Sequence, residues 1–260
     1  MHRRTFIKTT AISSLALGLN SFTGQSKTHI LTLSFDDGFK KSFYKVAELY
    51  EAHGLNACFN VIASGHLPDF QAVGQYILPE LMGNFDDWNN LKSRGHEVMP
   101  HSWKHLNLTE QPVEEAKALI VKCLDYFETH LEGYKSSEAV FNFPFNASTP
   151  EQEAFAMSKA LAIRSYGESS ISAIPKTHNA YRQACWSKGP ENIDSWVENQ
   201  VSQFLESPGG WMILNTHGLD EEGWGPMSTP YLKELLSRLV KVEKLEMMPT
   251  GVVLGRARGN

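Results

Sequence analysis

A chain of 260 residues with 42% hydrophobic and 20% charged side chains is long enough for one large domain with a full core. Its formal net charge of −5 shows no basic excess, so the electrostatic footprint of a nucleic-acid binder is excluded. Three cysteines, Cys58, Cys123 and Cys185, lie too far apart for a C-x-x-C zinc site or a dense disulfide framework.

The first 27 residues stand apart from the fold. MHRRTFIKTTAISSLALGLNSF opens on paired arginines and runs into a moderately apolar stretch too short to span a bilayer. Arg3, Arg4, Thr5, Phe6, Ile7 and Lys8 match R-R-x-F-[LI]-K in full, so residues 1–27 resemble a twin-arginine export signal. No cysteine follows the apolar stretch to take a lipid anchor. The expected location is periplasmic or extracellular, with no stable membrane anchor once the signal is removed.

From Thr28 onward strands and helices alternate. HILTLSF predicts a buried strand and KKSFYKVAELYEAHG a helix stopped by Gly54. LNACFNVIA is the next strand, with Cys58 inside an apolar pattern that suits a buried thiol. Residues 64–84 read as a loop with at most one short helix, and Asn84 is placed to cap the helix FDDWNNLKSRG. HEVMPHS is strand-like. Thr109 then opens the long helix PVEEAKALIVKCLDYFETHLEG, with Pro112 in its first turn. AVFNFPFN is a strand cut short by Pro144, and weaker alternation follows through EQEAFAMSKALA and AIRSYG, with an undefined stretch up to Cys185. The helix IDSWVENQVSQFLES, the strand WMILNTH, the helix PYLKELLSRLVKVEK and a last strand over MMPTGVVLG complete the chain. Such alternation without a linker or repeat implies one α/β domain, residues 28–260, on a mainly parallel sheet.

Three of these strands end in unusually polar residues: Asp36-Asp37-Gly38, the stretch His101 to His105, and Asn215-Thr216-His217. In folds of this kind ligands gather at the C-terminal strand ends. His101 and His105 are four residues apart, which on a helical turn puts both imidazoles on one face as half of a zinc-type site. Side chains alternate along a strand, so Asp36 and Asp37 can serve one site only where the strand has ended, and Gly38 supplies that freedom. One carboxylate can complete a set of two histidines and an aspartate, and the other can accept a proton from an activated water. His217 is the candidate acid. An ordinary Asp-Asp-Gly turn with unconnected histidines is the competing interpretation.

Together these residues resemble the polysaccharide deacetylase family, also called NodB-homology or carbohydrate esterase family 4 proteins, in order over nearly all of residues 28–253. The family's T-F-D-D-G is similar to Ser34-Phe35-Asp36-Asp37-Gly38, its H-[ST]-x-x-H to His101-Ser102-Trp103-Lys104-His105, and its last motif to Trp211 through His217. The resemblance implies a distorted (β/α) barrel of about seven strands. It implies a divalent metal, usually zinc, on Asp37, His101 and His105, with Asp36 as base and His217 as acid. The implied reaction is hydrolysis of an N- or O-acetyl group on a poly- or oligosaccharide by water activated at the metal. Two histidines and an aspartate also accept cobalt, nickel or iron.

Departures from the pattern mark the substrate side. The family's R-x-P-Y-G is Asn142-Phe143-Pro144-Phe145-Asn146 here, so the arginine that supports the base is absent at Asn142 and a tyrosine hydroxyl is absent at Phe145. Arg182 is a candidate to replace that arginine from another strand. The leucine of the acetyl-methyl pocket is Asn215. Asn142, Phe145, Asn215, Trp211 and Trp224 are the expected substrate contacts, with Trp103 and Trp186 as further stacking candidates. The acidic loop GLDEEGWGP disfavours a strongly anionic substrate if its carboxylates face the cleft. The leading expectation is an exported, metal-dependent carbohydrate deacetylase. A hydrolase of another non-peptide C–N bond or an ester, or a catalytically silent glycan-binding protein, are the alternatives. The oligomeric state is not legible.

Overall fold

The structure, a computed structural model, describes residues 27–71, 74–176 and 181–257. The proposed signal, apart from Lys27, lies outside the described residues. The first strand, β1 (His29–Phe35), is buried along its whole length, as a strand covered on both faces must be. The helix α1 (Lys40–Glu51) follows, burying Phe43, Val46, Ala47 and Tyr50 on one face, then β2 (Cys58–Val61). Asn84 caps α2 (Phe85–Ser93) in a reciprocal box with Asp87. After β3 (Glu97–Pro100) the long helix α3 (Val113–His130) starts at Pro112. Thr109 therefore does not open it. Thr109 sits in a separate single turn, Leu108–Glu110, capped by Asn107, and the extended backbone of Pro112 sets the boundary.

The second half carries β4 (Val140–Asn142), α4 (Pro150–Met157) and β5 (Ala162–Tyr166), with two strands, β6 (Ile171–Ser172) and β7 (Tyr181–Cys185), in the stretch the sequence leaves undefined. Then come α5 (Asp194–Glu206), β8 (Gly210–Thr216), α6 (Thr229–Leu239), β9 (Leu245–Met247) and α7 (Thr250–Arg256). The terminal strand expected over residues 247–255 is thus three residues of β9 followed by a helix. Val252, Val253 and Leu254 are apolar enough for either, and Pro249 with Thr250 turns the chain out of the sheet.

Pairing runs β3-β2-β1-β8, all parallel, and β4-β5-β7, also parallel. The two arcs meet at Trp186, whose N–H donates to Ile213 O (3.4 Å) and whose carbonyl accepts from the Asn215 N–H (2.8 Å). Seven parallel strands thereby form an α/β barrel of the expected kind, open along one seam. Among the described residues no ladder joins β3 to β4. There the Asn142 side chain bridges to the Pro100 carbonyl at 3.1 Å.

Strand alternation sorts the barrel. Leu31, Leu33 and Phe35 face outward and join the large core beneath α1, α2, α3, α5 and α6. Ile30, Thr32, Ser34 and Asp36 face inward. The lower interior is apolar, with Ile30, Val140, Ala162, Trp211 and Ile213 closed off by Val253 and Leu254 of α7. The upper interior is polar, and it carries the site. All three cysteines are free and buried.

Candidate active site

The strand β1 ends by leaving the sheet: Asp37 adopts φ 79° and Gly38 φ 109°. A left-handed residue followed by glycine lets two successive carboxylates reach one cavity, which an extended strand forbids. His101 and His105 reach the same place without a helix. The turn after β3 is irregular, with Ser102 and His105 both at positive φ, a conformation that non-glycine residues hold only when surrounding bonds over-determine it. Those bonds are present. Ser102 Oγ accepts the His105 N–H (3.1 Å), while the carbonyls of Ser102 and Trp103 accept the N–H groups of Ala63 and Ser64 (3.0 Å each).

One donor atom each from Asp37, His101 and His105 falls within 4.8 Å of the others, and all three residues are buried. Asp37 Oδ1 lies 3.3 Å from His105 Nε2 and 3.5 Å from His101 Nε2, and no hydrogen bond satisfies that oxygen. A buried carboxylate oxygen facing two imidazole nitrogens with no hydrogen-bond partner suits a cation, so the residues fit a divalent metal. His101 Nδ1 donates to the Asn142 carbonyl at 3.0 Å, which leaves Nε2 as the ligand atom. Burial pushes the His105 imidazole down to about 4 despite the nearby Asp37 charge, so it is neutral at pH 7, as a ligand must be. Burial tends to raise the Asp37 carboxyl. His105, His101 and His217 outweigh it and hold the carboxyl well below the usual range.

Asp36 is wholly enclosed and does not lack an arginine. Arg164 of β5 donates through one terminal nitrogen to Asp36 Oδ1 (2.9 Å) and through the other to Oδ2. Asn60 Nδ2 also donates to Oδ1 (2.7 Å). Burial works to raise this carboxyl, but Arg164 and then His101 prevail and keep it below its usual range. The arginine is therefore displaced by one strand, not lost. Asn142 of β4 and Arg164 of β5 are register partners, so a guanidinium entering from β5 reaches the same carboxylate. Arg182 does not take this role, because it binds Glu153 at 2.9 Å on the outside.

Asp36, Asp37, His101, His105 and His217 open into one cavity of about 420 Å³. Burial lowers the His217 imidazole against the pull of Asp37 and Asp36. Of the expected substrate contacts, Phe145, Asn215 and Trp224 line this cavity together with Tyr76, Ile77, Asn146 and Ser187. Phe145 is 53% exposed, has φ 57°, and its ring lies 4.8 Å from His105. Trp224 meets His217 edge-on at 5.6 Å.

Two expected contacts are corrected. Trp211 faces the apolar lower interior and donates its indole N–H to Thr32 Oγ1 (3.0 Å), because its position is three pleats below His217. Asn142 lies beneath the cavity, where its amide donates to Asn60 Oδ1 (2.8 Å), Pro100 O and Val140 O. It orients His101 and does not line the cavity. Trp103 is covered by Lys122 at 4.1 Å, and Trp186 donates to Gly167 O. The carboxylates of the acidic loop do not line the cavity: Glu222 accepts from Ser42 at the start of α1, and Asp220 from Thr229 at the start of α6. Sequence reasoning missed Arg164 and Asn60. The signal for Arg164 was the single charge, at an inward position, in the short strand Ala162-Ile163-Arg164-Ser165-Tyr166.

Comparison with known proteins fits this geometry. The family model described as polysaccharide deacetylase matches residues 23–160, more than half of the chain. No curated protein matches the sequence. A putative polysaccharide deacetylase from Mycobacterium smegmatis superposes with a TM-score of 0.64 at 9% identity, over 90% of this chain and 92% of that one. The peptidoglycan deacetylase PdaC from Bacillus subtilis gives 0.54 at 16% identity, over 88% and 91%. A pseudoenzyme of family CE4 from Bacillus anthracis gives 0.54 at 12% identity, over 89% and 66%. At these identities the structures establish a shared fold. The matched family and the five polar groups at the barrel rim lead to one assignment: the chain belongs to the polysaccharide deacetylase family, a family of hydrolases.

Proposed function

We propose that this protein is an exported, metal-dependent hydrolase that removes N- or O-linked acetyl groups from a poly- or oligosaccharide. The observation that carries the proposal is the Asp37–His101–His105 cluster beside Asp36 and His217 in one cavity. Asp37, His101 and His105 would hold a divalent cation, for which zinc is the first choice and cobalt, nickel and iron are alternatives. When bound, such a cation polarises the acyl carbonyl and acidifies water.

The chain's own residues supply the rest. Asp36, kept ionised and oriented by Arg164 and Asn60, accepts a proton from the attacking water. His217 delivers a proton to the departing nitrogen or oxygen of the sugar. The Phe145 backbone N–H, at the cavity wall, is the proposed donor to the developing oxyanion. Tyr76, Phe145 and Trp224 supply apolar faces for sugar rings at the mouth. The arginine-supported base favours turnover over silent binding. The chain RRTFIK at residues 3–8 supports export, and the net charge gives no support for a nucleic-acid partner. Among the described residues no helix is long and apolar enough to cross a membrane.

The test is acetate release from a panel of acetylated glycans, run before and after chelation and after zinc or cobalt is restored. Chelation should abolish release and metal should restore it. Asp37→Ala should lose at least about a thousandfold in rate, the scale of removing a central electrostatic group, together with its bound metal measured by elemental analysis. Release that survives both chelation and Asp37→Ala would rule the proposal out.

A further inference from the structure

Phe145 and Asn146 both hold the left-handed conformation, at φ 57° and 51°. A non-glycine residue there is uncommon, and two in succession persist only where neighbouring bonds fix them. The bonds reach Asn146 from three other strands. Its carbonyl accepts from Ser165 Oγ of β5 (3.0 Å), and its Nδ2 donates to Ser187 Oγ just past β7 (3.2 Å). Its Oδ1 accepts from Asn215 Nδ2 of β8 (3.0 Å) and from Cys185 Sγ of β7 (3.3 Å). Asn146 and Asn215 are both buried, so water does not compete for the bond between their amides. Among the described residues β4 and β8 are not sheet neighbours, so no ladder sets the distance between them. Asn215 lies two residues before His217, and both line the cavity. The amide bond thus ties the turn carrying the Phe145 N–H to the strand that delivers His217. These two positions are also departures from the motif pattern, which has glycine where this chain has Asn146 and leucine where it has Asn215. Glycine takes a left-handed turn freely and needs no tether. Here the two departures meet in one hydrogen bond.

Resting on the hydrolase reading above, we propose that Asn215 is a positioning residue. Through Asn146 it holds the left-handed turn so that the Phe145 N–H stays aimed at the acetyl oxygen. The effect falls on the reaction step and not on substrate binding. A donor that wanders still admits the sugar but stabilises the developing oxyanion less, so kcat falls while KM is kept.

The experiment is a double-mutant cycle on Asn146→Gly and Asn215→Leu in metal-loaded protein. It is read by kcat and KM for acetate release, by melting temperature, and by the order parameter of the Phe145 amide from nitrogen-15 relaxation. Asn215→Leu should lose about tenfold in kcat, the scale of one buried hydrogen bond, with KM nearly unchanged. The Phe145 amide should fall from a rigid value of about 0.85 toward about 0.6. The double variant should lose less than the product of the two single losses, because glycine takes the turn untethered and leucine leaves no amide unpaired. Asn215→Ala, which removes the amide without adding bulk, keeps the test open if the leucine variant does not fold. A lower melting temperature with unchanged kcat, a Phe145 amide that stays rigid, or single losses that simply multiply would overturn the inference and leave the hydrolase reading intact. A Phe145 amide that loosens in the variants, in a protein whose wild type hydrolyses no acetylated glycan, would sustain Asn215 as the tether of this turn and defeat the hydrolase reading.

Discussion

Two carboxylates inside the same barrel are pushed in opposite directions. Asp36, in the upper interior, faces Arg164 and is held below its usual range. Glu97, at the lower end beside a groove of about 350 Å³ that reaches α7, has no cation against it among the described residues, and loss of solvent raises its carboxyl. Its hydrogen bonds come from Thr250 Oγ1 (2.6 Å), the Gly251 N–H (2.6 Å) and Cys58 Sγ (3.2 Å), and these only partly offset burial. A buried acid is kept charged where a guanidinium is supplied and drifts toward its neutral form where only neutral donors are. The upper half is arranged for chemistry and the lower half for packing.

The sharpest way to break this contrast is Arg164→Met. Leaving the Asp36 charge enclosed and unpaired should cost about 3–5 kcal/mol of stability and remove hydrolysis as well, read by urea unfolding and acid release. An unchanged unfolding midpoint would mean that Arg164 does not support the carboxylate. Ile213→Ala, in the apolar lower interior, should cost about 2–5 kcal/mol through the cavity it leaves. Activity per folded molecule should hardly change, because Ile213 does not line the cavity and His217 lies two pleats above it. A comparable loss of kcat would show that the halves are not independent.

The smallest effect concerns Glu97. Its folded-state carboxyl titrates above the unfolded one, so the native state binds more protons in between. The stability it contributes is full below the unfolded value and is lost as pH rises through the folded one. Glu97→Gln should therefore match the wild type in acid and melt higher near neutrality. Melting curves that remain parallel across pH would show that Glu97 is not the titrating group.

Legibility in the sequence followed locality. Asp36, Asp37, His101, His105 and His217 each end or follow an apolar strand, so both their positions and their convergence at one rim can be inferred from the chain order. Arg164 cannot be found that way, since its link to Asp36 depends on β4 and β5 pairing in register. Trp211 was misplaced because an indole in a strand reads the same on either side of the rim, and only pleat depth separates a stacking surface from core. The stretch before Cys185 hid β6 and β7 because polar residues such as Ser172, Arg182 and Gln183 interrupt any apolar run. The helix α7 was hidden by valines that favour strands.

The open seam between β3 and β4 has a mechanical consequence. The Asn142 amide spans it, and the Asn142 carbonyl accepts the His101 ring proton. The joint without a ladder and the steering of a proposed metal ligand therefore share one residue. A strain that widened the joint would rotate the imidazole before it disturbed any ladder, so the grip on an ion becomes a gauge of how tightly the ring is shut.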